Sequence, residues 1–60
     1  MIFRQLFEPV SSTYTYLLGC ADSGRAVLID PVLPAWQRDL EELRRLGLTL
    51  AYTLDTHIHA

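Results

Sequence analysis

Two histidines one residue apart, His57 and His59, stand in the stretch Thr56-His57-Ile58-His59-Ala60 that closes this 60-residue sequence. Side chains two apart along a strand point to the same side, so a His-x-His at a strand tip converges two imidazoles on one face. Convergent neutral imidazoles begin a metal site, and they suit zinc, iron, copper or nickel without choosing among them. Metal sites need three or four ligands, and the sequence holds no third histidine. Composition alone is explained equally well by an incidental, exposed pair. Strand ends that empty into loops, however, are where α/β sheets keep their ligands. Two carboxylates stand where they could support such a site. Asp30 ends an apolar run just before Pro31, although a turn aspartate before proline accounts for it as well. Asp55, two residues before His57, reads as a solvated strand-end carboxylate. The single cysteine, Cys20, has only Arg25 nearby as a cation, and reads as a small packed apolar residue rather than a redox thiol.

The elements that would position these groups follow from pattern. Ile2 to Phe7 alternates loosely and reads as a first strand, and Glu8-Pro9-Val10-Ser11-Ser12 supplies turn chemistry. Thr13 to Cys20 is rich in β-branched and aromatic residues and reads as a second strand. Its alternation puts Tyr14, Tyr16 and Leu18 on one face and Thr13, Thr15 and Leu17 on the other. Tyr14, Thr15 and Tyr16 could line a substrate pocket, but such alternation is the ordinary mark of sheet packing. A hairpin loop with Gly24 placed for positive φ leads into the apolar run Ala26-Val27-Leu28-Ile29, a strand that Asp30-Pro31 ends. Pro34 to Leu46 reads as the one helix, with Trp36, Leu40, Leu43 and Leu46 forming an apolar core stripe. Its acidic start and basic end suit the macrodipole, with a Glu41–Arg45 pair and Arg44 and Arg45 on a solvated face. Gly47 is its stop. Leu48 to Asp55 is then a strand running into the histidines. The order β-β-β-α-β makes this an α/β fold, with the helix crossing between two parallel strands. Such a sheet needs a layer on each face, and one helix cannot cover both.

Thr56-His57-Ile58-His59-Ala60 resembles the opening of the metallo-β-lactamase superfamily motif Thr-His-x-His-x-Asp-His. The layout before it is similar to the first part of that superfamily's αββα sandwich. Within the superfamily, Arg4-Gln5-Leu6-Phe7, Ser11 to Leu18, Ala26 to Val32 and Leu54 to Ala60 resemble persulfide dioxygenases. The resemblance implies a non-haem, mononuclear Fe(II) enzyme that oxidises glutathione persulfide with dioxygen to sulfite and glutathione. His57 would match the first iron ligand. His59 would match the second histidine of the motif, a metal ligand in hydrolase relatives and a neighbour of the iron in persulfide dioxygenases. Asp30 would be a supporting hydrogen-bond acceptor near the metal loop. The resemblance further implies that residues 1–60 are the N-terminal segment of one metallo-β-lactamase-like domain, cut inside its motif, with the remaining ligands beyond it. A segment of that kind is expected to be inactive by itself. Glyoxalase II-type thioester hydrolases share the histidine motif and would use two zinc ions. A non-catalytic fragment or interaction module, pairing its uncovered sheet with a partner or with a second copy, is the reading from another class.

Composition sets the outer bounds. A chain of 60 residues, half of them apolar and a fifth charged, with a net charge of -2, is at most one domain. That charge gives no footprint for nucleic acid or an anionic membrane. No apolar run approaches the roughly 20 residues that span a bilayer. The first residues lack the pattern of a signal peptide, and one cysteine permits no internal disulfide. A cytoplasmic protein is expected, with room for a homo-oligomer.

Overall fold

A computed structural model describes residues 1–56. Four strands, β1 (Ile2–Glu8), β2 (Thr13–Cys20), β3 (Arg25–Ile29) and β4 (Thr49–Leu54), form one mixed sheet in spatial order β1-β2-β3-β4. The first three pair antiparallel. A 3₁₀ turn (Leu33–Ala35) and helix α1 (Trp36–Arg45) then carry the chain back, so β4 joins β3 in parallel. This is the expected order, and the crossover is the reason for the parallel pair. No helix among the described residues is long and apolar enough to cross a membrane.

Alternation divides the sheet into a covered and an open face. Thr15 and Leu17 of β2 and Ala26 and Leu28 of β3 turn toward α1 and are buried. They meet Leu43 and Leu48, with Ile2, Leu6, Leu40, Leu46 and Leu50 packed around them. Gly19 belongs to the same face, and it is glycine for a steric reason. A Cβ there would stand 2.5 Å from Leu48 Cδ1, well inside van der Waals contact, so the missing side chain lets Leu48 lie on the sheet. The opposite face has no layer over it among the described residues. Phe3, Phe7 and Tyr14 are each about half exposed there, and Phe7–Tyr14, Phe3–Tyr16 and Tyr14–Tyr16 ring contacts at 5.2, 5.9 and 6.5 Å make an aromatic row. A shift of register puts Leu50 opposite Ala26 and Tyr52 opposite Val27. Leu50 therefore joins the core while Tyr52 stands on the open face.

Helix α1 ends as its sequence predicts. Gly47 has φ 72°, its N–H donates to Arg44 O, and the Leu48 N–H donates to Leu43 O. That pair of bonds is the Schellman closure, with buried Leu48 and Leu43 supplying its apolar contact. Nothing lies within 4 Å of where a Gly47 Cβ would be, so a substitution there meets only the backbone penalty. Gly47→Ala is expected to destabilise by about 1 kcal/mol, read as a lower urea midpoint with an unchanged slope.

Three sequence expectations need correction. The helix begins as a 3₁₀ turn, and Trp36 is 52% exposed rather than core. Its angular position is right, but it sits in the first turn, where Pro31, Val32, Leu33, Leu50 and Thr53 leave a groove of about 240 Å³ that its ring borders. Arg45 pairs with Glu42 in place of Glu41, and Arg4 of β1 lies 3.8 Å from the same carboxylate. The Arg45 guanidinium holds the Glu42 carboxyl below its usual range. Asp39 stands in the first turn of α1, as the acidic helix start implies, and is 1% exposed. Its Oδ1 accepts from Arg38 Nη2 at 2.9 Å, and Arg38 also donates to the Phe7 carbonyl at the end of β1.

Candidate functional site

The site is assembled where β3 and β4 end side by side. Asp30 follows the last residue of β3 and has φ 57°, a left-handed conformation that aspartate tolerates better than most residues. Every polar group it carries is engaged. Its N–H donates to Leu54 O at 2.7 Å, continuing the parallel pairing one step past the strands. Its carbonyl accepts from Thr15 Oγ1 at 3.0 Å. Its carboxylate accepts twice from one residue: the Thr56 N–H donates to Oδ1 at 2.6 Å, and the Thr56 hydroxyl donates to Oδ2. The turn at Asp30 thus directs the carboxylate across the gap between strand ends to seize the residue that precedes His57.

Of the residues singled out from the sequence, Asp30 is placed as a hydrogen-bond acceptor at the start of the histidine stretch. Asp55 is exposed just past β4. His57 and His59 lie outside the described residues. Among the described residues, no three histidine, cysteine, aspartate or glutamate side chains gather as a metal site. Imidazole nitrogens are a fitting donor type for iron or zinc, and the Asp30–Thr56 contact fixes the backbone one residue before the first of them.

Other expectations change. Cys20 is exposed at the end of β2, because alternation puts it on the open face at a strand terminus where no neighbour covers it. Hydrogen bonds from the Ser23 hydroxyl, and from the Ser23 and Asp22 backbone, push its thiol below its ordinary value. Thr15 cannot line a pocket with Tyr14 and Tyr16. It is fully buried on the helix side, while the two tyrosines stand on the open face. Sequence reasoning missed two participants, Thr15 and Thr56. The signal for Thr15 was a hydroxyl at an inward position, flanked two residues on by Leu17, where an apolar side chain belongs. A further anchor was also missed. Glu8 is buried, and its carboxylate accepts from the Val10 N–H at 2.7 Å and the Ser11 N–H at 3.1 Å, tying the β1–β2 turn.

Comparison with known proteins gives the context for this geometry. No family model matches the chain. Persulfide dioxygenase ETHE1, mitochondrial, is 57% identical to it in Bos taurus and 55% identical in Homo sapiens, each over all 60 residues. The chain spans about a quarter (24%) of the length of these relatives. The crystal structure of ETHE1 from Myxococcus xanthus superposes with a TM-score of 0.94 at 58% identity, covering all of this chain and 27% of that one. A metallo-β-lactamase from Staphylococcus aureus superposes with a TM-score of 0.88 at 34% identity, over 98% of this chain and 17% of its own.

Proposed function

We propose that this chain, homologous along its whole length to persulfide dioxygenase ETHE1 and folded as part of a metallo-β-lactamase domain, is the N-terminal segment of a non-haem iron persulfide dioxygenase. The observation that carries the reading is 55–57% identity in matches that span all 60 residues. The complete protein would convert glutathione persulfide, dioxygen and water into glutathione, sulfite and two protons. The terminal sulfur is oxidised, dioxygen is reduced, and the sulfur–sulfur bond breaks to release the thiol. His57 would ligate the iron and His59 would stand beside it, with the remaining ligands supplied from the rest of a single domain. Bound ferrous iron would supply a centre where a thiolate-like sulfur and dioxygen can meet.

The role of this segment's own residues is to hold the first histidine in place. Parallel pairing brings the ends of β3 and β4 together, and the left-handed Asp30 crosses between them to clamp Thr56. Fixing a ligand-bearing stretch before metal arrives reduces the ordering that metal binding would otherwise have to drive. With two histidines and a half-covered sheet, the 60-residue segment alone is expected to be inactive.

Oxygen uptake tests the assignment. The iron-loaded complete protein is expected to consume one dioxygen per sulfite formed when given glutathione persulfide. Hydrolysis of a glutathione thioester by the zinc-loaded protein, with no oxygen uptake on persulfide, would overturn the assignment in favour of a hydrolase.

A further inference from the structure

Resting on the assignment above, we propose that Thr15 is a positioning residue for the metal loop, acting through the Asp30 backbone. Thr15 is fully buried on the helix-facing side of β2, where its neighbour on the same face, Leu17, is part of the apolar core. A hydroxyl in that position needs a partner, since an unsatisfied one is costly to bury. Its partner is the carbonyl of Asp30, at 3.0 Å and fifteen residues away in sequence.

That carbonyl belongs to the peptide that turns the chain out of β3. Asp30 adopts φ 57°, a conformation that surroundings must enforce for any residue with a side chain. Two bonds to its main chain do this from opposite sides. Its N–H is held by Leu54 of β4 and its carbonyl by Thr15 of β2. With its main chain held between the two, Asp30 reaches the Thr56 N–H and hydroxyl with its carboxylate. The chain of contacts is therefore Thr15 hydroxyl, Asp30 carbonyl, left-handed turn, Asp30 carboxylate, Thr56, and then His57. Releasing the first link removes one of the two constraints on the turn and leaves every charged group in place. A Thr15→Val change does this while conserving side-chain shape and branching.

Two readings in the complete protein separate this role from a merely structural one: amide exchange measured residue by residue, and iron affinity. In Thr15→Val the Thr56 amide should exchange about tenfold faster while the Leu17 amide of the core does not change, and iron affinity should fall about tenfold, as for other residues that support metal ligands. Thr15→Ser, which keeps the hydroxyl, should return both to within about twofold of the parent. If the valine variant does not fold, Thr15→Ala against Thr15→Ser puts the same question, since both lose the methyl and only the first loses the hydroxyl. Unchanged exchange at Thr56 without the hydroxyl, or equal acceleration at Thr56 and Leu17, would overturn the proposal. A parent protein that takes up no iron would sink the dioxygenase assignment instead, and Thr56 exchange would still decide the role of Thr15.

Discussion

Asp30→Ala is expected to cost about 2 kcal/mol of stability and, in the complete protein, between tenfold and a hundredfold in metal affinity. Two terms make up the loss in stability. The carboxylate gives up both bonds to Thr56; bonds to a charged acceptor are ordinarily worth about 1.5–3 kcal/mol, and the exposure of Thr56 reduces that here. Alanine must also hold φ near 57° without the local polar compensation that eases the left-handed region for aspartate, at about 1 kcal/mol or more. Two further variants separate the terms. Asp30→Gly removes the carboxylate and frees the backbone, so it should recover about half of the lost stability, the backbone term, and none of the metal affinity. Asp30→Asn keeps an acceptor oxygen and tolerates the turn, and should fall between the parent and alanine on both scales. Chemical denaturation and metal titration on the same three proteins check this. Equal metal affinity in the glycine variant and the parent would show that the clamp on Thr56 does not position His57.

The contrast between Asp30 and Trp36 shows what kind of information a sequence of this size carries. Strand limits, the parallel β3–β4 pair and the stop at Gly47 were readable because each depends on neighbours in sequence or on chain connectivity. Asp30 was readable as a strand end for the same reason, while a supporting role for it at the metal loop was an expectation drawn from the resemblance of the motif that begins at Thr56. What was not readable is which atoms meet across the fold. Thr15 lies on β2 and Asp30 just past β3, and the alternation that marks Thr15 as inward does not say which atom its hydroxyl meets. Trp36 has correct helical spacing, yet spacing gives direction and not depth, and the first turn of α1 faces a groove instead of a packed sheet. Cys20 failed in the reverse way. Residue type favours burial for cysteine, but its place on the open face at the end of β2 leaves it exposed. Charge pairing was misjudged by one residue, Glu42 for Glu41, since both three- and four-residue spacings put a glutamate beside Arg45 and contact with Arg4 of β1 favours the former.

The largest loss of stability should come from the residue with no polar function at all. Leu17 is completely buried at the middle of β2, the strand that pairs with β1 on one side and β3 on the other. Its side chain lies in the cluster with Ala26, Leu28, Leu43 and Leu48 that joins the sheet to the helix. Truncation to alanine removes the transfer energy of the side chain and leaves a cavity that a small two-layer structure closes poorly, a combined loss of about 3–4 kcal/mol. For a 60-residue chain whose whole stability would be on the order of 3–9 kcal/mol, that loss is comparable to everything holding it together. In a protein several times longer the same change should lower the melting temperature by about 10 °C. Trp36→Ala removes a larger side chain but one that is half exposed, and should cost only about 1 kcal/mol. The order of the two effects is the informative result, measured by thermal or urea unfolding of both variants side by side. If Trp36→Ala proved the more damaging, the first turn of α1 would have to be buried in the complete protein, with the groove beside it filled. The core would then extend past Leu40 toward the end of β3 and Asp30, and the Asp30 clamp would be supported by packing as well as by its hydrogen bonds.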